Sequence, residues 1–167
     1  MKIARIEKIA QAIRLISLAV LFGGSAAIVF AAITLVKSAV AAGVPLAEAA
    51  ARNAPLFIHF SKIALVCSFL LLLAESLDFA NCDRLSKLVI AKYLASGLCI
   101  VSTIIFAFGI VPPMQELLPQ IAHNAAAHAQ FTELHKLSRA LFGAIILFAS
   151  ISLVIPSHIP ETQQKES

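Results

Sequence analysis

Apolar positions fall into four blocks long enough to cross a bilayer, separated by polar and turn-forming residues. The first covers residues 12–36 (AIRLISLAVLFGGSAAIVFAAITLV) and is broken only by Arg14 near its start. The others cover 56–79, 88–111 and 139–155. At about 1.5 Å per residue, roughly 20 helical residues cross a hydrocarbon core about 30 Å thick. The second block is the least regular, because only 63–74 is free of charge. Lys62 can snorkel to the headgroups at one end, and Glu75 and Asp78 stand as end-of-helix charges at the other. The pattern predicts an all-α fold, an integral membrane four-helix bundle forming a single domain over 1–157. A polar, disordered tail over 158–167 is expected to follow it.

The segments between the blocks carry their own periodicity. MKIARIEKIAQAIR places Ile3, Ile6, Ile9 and Ile13 at helical spacing with Lys2, Arg5 and Lys8 between them. That is a basic amphipathic lead-in and not a cleavable signal, whose apolar stretch would be about 7–15 residues long. Gly43-Val44-Pro45 predicts a turn, and 46–53 a short Ala-rich interfacial helix ended by Pro55. A tight connection over 80–87 makes spans two and three antiparallel neighbours. Span three is expected to stop at Pro112-Pro113, where backbone donors are missing. After Pro119 an Ala-rich outer extension is expected to be helical and to run into span four.

Composition agrees with lipid as the solvent. Hydrophobic residues make up 60% of the 167 and charged residues 13%, against roughly 45–50% and about 25% in soluble domains. The lipid bilayer is thus the first partner. The net charge of +4 acts as a topology signal, and no basic patch interleaved with aromatics points to nucleic acid. With the N-terminus inside, the inner segments hold Lys2, Arg5, Lys8, Arg14, Arg84, Lys87, Lys92 and Lys165. The outer segments hold Lys37, Arg52, Lys62, Lys136 and Arg139. This excess puts both termini in the cytoplasm, with a bacterial inner (cytoplasmic) membrane as the expected location. Cys67, Cys82 and Cys99 form no C-x-x-C pair and suggest neither a disulfide framework nor a zinc site.

Helices in lipid associate through small residues and polar seams. Ala19, Gly23, Ala27 and Ala31 recur every fourth residue along span one. Ser61, Ser68 and Glu75 recur every seventh along span two, and Ser96, Cys99, Thr103, Phe106 and Gly109 share a face of span three. Together with Ser138 on span four, these can close a bundle without a ligand.

The densest chemistry lies in FTELHKLSRALFG, residues 131–143. With His135 at 0° and about 100° per residue, Phe131, Ser138, Phe142 and His128 lie within about 60° of it. Leu134, Leu137 and Leu141 form a separate face suited to lipid, so the His135 face is expected to point inward. Lys136 and Arg139 are expected to snorkel at the interface. His59, at the same outer level, shares a face with Val66, Leu70 and Leu73, opposite Ser61, Ser68 and Glu75. Two such histidines could ligate a haem iron or, with a carboxylate, a metal. His128 and His135 stand about 10.5 Å apart along the axis at 1.5 Å per residue, too far for one ion.

Gly23-Gly24 inside span one, the VPPMQELLP stretch, and F-x-x-L-H-x-L-S at Phe131, Leu134, His135, Leu137 and Ser138 resemble the transmembrane protein 205-like domain family. The resemblance extends over about 12–155. It implies a small four-span membrane protein of unknown molecular function and carries over no catalytic residue. No nucleophile–base arrangement and no Gly-rich phosphate loop is present. The leading expectation is a non-enzymatic component that associates with other membrane proteins or with its own copies and needs no cofactor. The alternative is a haem- or metal-binding redox component using His135 and His59.

Overall fold

A computed structural model describes residues 2–82, 86–121 and 123–155; Arg84 and the predicted polar tail lie outside them. The described residues are helical apart from their turns and contain no strand. α1 (Lys2–Ala19) continues through a π-helical turn (Val20–Gly24) into α2 (Ser25–Ala41), so the basic lead-in and span one form one rod. The rod ends where Gly43, at φ +84°, takes a left-handed conformation that a Cβ would strain. Its N–H donates to the Val40 carbonyl at 3.0 Å and that of Val44 to Ala39 at 3.0 Å, satisfying the last carbonyls of α2.

α3 (Leu46–Arg52) folds back against α2. The buried Asn53 side chain pins it there, donating from Nδ2 to Ala49 O at 3.3 Å and to Ala32 O at 3.4 Å. α4 (Ala54–Ala80) follows at once. Pro55 sits in its first turn, so it opens α4 where the sequence pattern had it closing the helix before. A first-turn residue needs no intrahelical donor.

α5 (Lys87–Ile104) is capped by Ser86, whose Oγ accepts from Val89 N at 3.3 Å. It continues as a π-helical turn (Ile105–Ile110), α6 (Val111–Leu117) and a 3-10 turn (Leu118–Gln120). The expected stop at Pro112-Pro113 therefore does not occur. Both prolines fall in the first turn of α6, where their missing N–H groups are not required. α7 (Ala125–Val154) is a single helix that takes in the Ala-rich outer extension and span four. Asn124 caps it, Oδ1 accepting from Ala126 N at 3.0 Å and Ala127 N at 3.3 Å.

Around the bundle the order is α1, α4, α5, α7, with α7 closing back onto α1 and its π turn. Each neighbour runs antiparallel to the next, as short connections require. The core is apolar and aromatic: Leu18, Leu21, Leu71, Phe106, Phe142 and Ile145 are fully buried. Phe142 is its hub, with ring centroids 4.7 Å from Phe106, 5.2 Å from Phe57 and 6.1 Å from Phe60. Phe60 lies so close to span one that a Cβ on Gly24 would come within 2.6 Å of its ring. On the outside, Val66, Leu70, Leu73, Phe108 and Leu137 are exposed. Four helices are long and apolar enough to cross a membrane, and this apolar exterior is what lipid requires.

Span one faces the bundle with Arg14, Ser17, Leu18, Leu21, Ser25 and Ala32. Its regular small-residue stripe does not close the bundle. Ala19, Gly23 and Ala27 are exposed, and Ala31 is half-buried. Spans two and four present the expected residues inward, since Ser61, Ser68, Glu75 and Ser138 are all buried.

Candidate functional site

Charge enters the bundle at one end, the end carrying the N-terminus and the α4–α5 turn, termed inner below. Arg14, Glu75 and Lys92 are all buried there, each from a different helix. The inward faces already described carry them. Glu75 continues the Ser61, Ser68 series of α4, Lys92 stands one turn before Ser96 on α5, and Arg14 one turn before Leu18 on α1. Arg14 Nε donates to Glu75 Oε1 at 2.8 Å. Its Nη2 donates to Ser152 O at 2.5 Å and to Ser152 Oγ at 2.9 Å, on α7.

Ser96 ties the remaining side. Its Oγ donates to Glu75 Oε1 at 2.6 Å and lies 2.7 Å from Ser152 Oγ. Lys92 Nζ donates to Asp78 Oδ2 and stands 3.5 Å from Glu75 Oε2. Tyr93 adds a second donor to Asp78, its hydroxyl lying 2.8 Å from Oδ2, while its ring packs edge-on against Phe79. Among the described residues, two cations and two carboxylates thus form one cluster joining all four spans, and their formal charges cancel. Such a group in low dielectric persists only when paired and hydrogen-bonded.

The sequence pattern treated these residues separately. By pattern alone Arg14 and Lys92 belong with the cations of the inner segments, and Glu75 and Asp78 are end-of-helix charges. The structure corrects this: Arg14 and Lys92 lie inside the bundle, neutralised by carboxylates. Part of the signal was present in the register, because Glu75 and Lys92 each extend a face of small and hydroxyl residues by one step, whereas Arg14 extends a face with Leu18 and Leu21.

The outer level carries the histidines. Along the four rods, Lys37, His59, Pro112 and His135 stand 16 to 23 residues from Arg14, Glu75, Lys92 and Ser152 respectively. At about 1.5 Å per residue that is about 24–35 Å, close to one hydrocarbon thickness. Phe131, Ser138 and Phe142 are buried as expected, Leu137 is exposed, and Leu134 and Leu141 are half-buried. His135 is half-buried, its ring stacked on Phe131 at 6.3 Å between centroids and 4° between planes. It lines a pocket with Phe57, Phe106, Met114, Gln115 and Phe131. Its ring makes no hydrogen bond among the described residues, whereas Ser138 Oγ donates to the His135 carbonyl at 2.7 Å.

His59 is exposed and does not line that pocket, so the two candidate haem ligands are not brought into one site. His128 is exposed as well, and Lys136 and Arg139 lie at the surface, Lys136 bonded to Glu133 at 2.7 Å. Among the described residues no three His, Cys, Asp or Glu side chains converge as a metal site would require. Cys67 and Cys99 are buried free thiols, and Cys82 is half-buried.

Residues 16–123 match the family described as "Domain of unknown function (DUF4149)". No curated protein and no solved structure is significantly similar to the chain. The match takes in spans two and three and span one from residue 16 onward, leaves out Arg14, and stops short of the F-x-x-L-H-x-L-S stretch at 131–138. The likeness of that stretch to the transmembrane protein 205-like domain family therefore stands on the motif alone.

Proposed function

From the premise that the chain belongs to the DUF4149 family, a family of unknown function, we propose that this multi-pass membrane protein is a non-enzymatic component working by association within the bilayer. The observation that carries the proposal is the outward stripe on span one. Ala19, Gly23 and Ala27 face away from the bundle, and nothing lies within 4 Å of the place a Cβ on Gly23 would occupy. Small residues on a lipid-facing surface let a second helix approach closely enough for backbone packing. The partner is a further copy of this chain or the helix of another membrane protein.

The proposed setting is a bacterial cytoplasmic membrane with both termini in the cytoplasm. With Arg14 and Lys92 set aside as paired, the inner side keeps Lys2, Arg5, Lys8, Arg84, Lys87 and Lys165 against five outer cations. The resemblance to the transmembrane protein 205-like domain family supports the same architecture.

Gly23→Leu separates association from folding. The site has room for the larger side chain, so the variant should insert and keep its helix content. Cross-linking in native membranes should show the wild-type protein in a larger species that the variant loses at least tenfold. A wild-type protein that cross-links to nothing and purifies strictly alone would overturn the proposal.

A further inference from the structure

Glu75 is satisfied on one side only. Oε1 accepts from Arg14 Nε at 2.8 Å and from Ser96 Oγ at 2.6 Å, whereas Oε2 is buried with no hydrogen bond among the described residues. Among the described residues Ser25 Oγ and Ser68 Oγ are the other buried side-chain atoms without a hydrogen bond. Oε2 alone of the three carries charge and faces a cation, Lys92 Nζ at 3.5 Å, and a buried acceptor without a hydrogen bond calls for an explanation. Oε2 is also the atom nearest a proton donor not committed to it. Lys92 Nζ stands 3.5 Å away while bonded to Asp78 Oδ2, one turn further along α4. Asp78 is the most exposed of the three side chains at 21%, against 0% for Lys92 and 8% for Glu75.

We propose that the inner cluster is a one-sided proton-binding site, loaded through Asp78 and Lys92 and storing the proton on Glu75 Oε2. Loading is balanced in three transfers. An N–H bond of the Lys92 ammonium breaks as its proton forms an O–H bond with a lone pair of Glu75 Oε2. The Lys92 amine then takes the proton of a protonated Asp78 carboxyl. Asp78 had acquired that proton from water at the inner surface. The cluster gains one proton and one positive charge, and Lys92 and Asp78 end as they began.

Among the described residues, the groups facing Glu75 are Arg14 from α1, Asp78 on its own helix, and Lys92 and the Ser96 hydroxyl from α5, with Tyr93 behind Asp78. From α7 the Ser152 hydroxyl and carbonyl close the cluster, and no titratable side chain of α7 takes part among the described residues. Outward of Ser96 the fully buried Leu21, Leu71, Phe106 and Phe142 fill much of the core, and no titratable side chain lies beside them among the described buried residues except Cys67 and Cys99. The proposed site therefore takes its proton from the inner side. Loading neutralises the carboxylate that holds Arg14, loosening α1 from α4. The proposal is independent of the association reading.

The test is carbon-13 NMR of the full chain, labelled at glutamate carboxyl carbons and reconstituted in lipid vesicles, over a descending pH series. Glu75→Gln identifies the Glu75 resonance. If that variant does not fold, protection from a water-soluble paramagnetic relaxation agent identifies the same buried carboxyl in the wild-type protein. The expected result is a move from the carboxylate to the carboxylic-acid position while the remaining spectrum stays folded, with exchange slowed at least tenfold in Asp78→Asn. A Glu75 resonance fixed at its carboxylate position until the protein unfolds would overturn the site. Titration at an unchanged rate in Asp78→Asn would overturn the loading route.

Discussion

At Arg14 one guanidinium joins three helices, through Glu75 on α4 and both oxygens of Ser152 on α7. The physics of such a contact is asymmetric. Taking two charges out of water offsets much of their attraction, so an apolar pair of similar volume is often as stable as the ion pair. Removing one partner instead leaves the other charge buried with less compensation, which costs up to about 3–5 kcal/mol; Glu75 would keep Lys92 at 3.5 Å and the Ser96 hydroxyl. Arg14→Met should therefore lower stability in detergent by up to that amount, and Arg14→Met/Glu75→Met should recover most of it. Equilibrium unfolding of the two variants measures the difference. A double variant as unstable as the single one would show that packing around residue 14, and not charge, sets the cost. Arg14 was visible in the sequence as an interruption of span one, but its partner was not. Residues 14 and 75 are far apart in the chain, and only the pairing of α1 with α4 brings them together.

Helices show where local pattern suffices and where it fails. The Ala-rich stretch before span four was legible because Asn124 supplies a capping oxygen and no breaker follows before Pro156. Asn124→Ala removes the acceptor for the Ala126 and Ala127 amides, which should destabilise the first turn by about 1 kcal/mol. Amide exchange over 125–131 should quicken by about fivefold while exchange over 140–154 stays as it was. Uniform quickening of all of α7 would place the start of the helix in its cooperative core. Pro112-Pro113 misled because a proline pair stops a helix only when its missing donors are needed. After the π turn at Ile105–Ile110 a new first turn begins, and they are not. The stripe on span one misled for a different reason. A helix wheel shows which residues share a face, and both faces of span one, small residues on one and Arg14, Leu18, Leu21 and Ser25 on the other, are regular. Which of them turns inward depends on the neighbours, here α4 and α7.

As a whole the molecule is a membrane-thick bundle with unlike ends, a neutralised charge cluster at one level and a histidine-lined aromatic pocket at the other. Its proposed orientation makes a labelling prediction. Cys82 lies half-buried at the inner turn, while Cys67 and Cys99 are enclosed in the bundle. A membrane-impermeant maleimide should therefore label Cys82 in inverted vesicles and not in intact cells. Arg52→Cys, at an exposed outer position, should show the opposite. Labelling of Cys82 from outside intact cells would reverse the topology. The amino-acid sequence by itself determined the solvent, the helical class, the four spans and the inward faces of spans two and four, because burial in lipid is written in runs and periods that each helix carries alone. Tertiary structure alone decided that four charges on three helices form one cluster, that His59 and His135 occupy different surroundings, and that the small stripe of span one faces outward. Each of those outcomes depends on which helices are neighbours and how they are rotated, and long-range contacts fix that where local periodicity cannot.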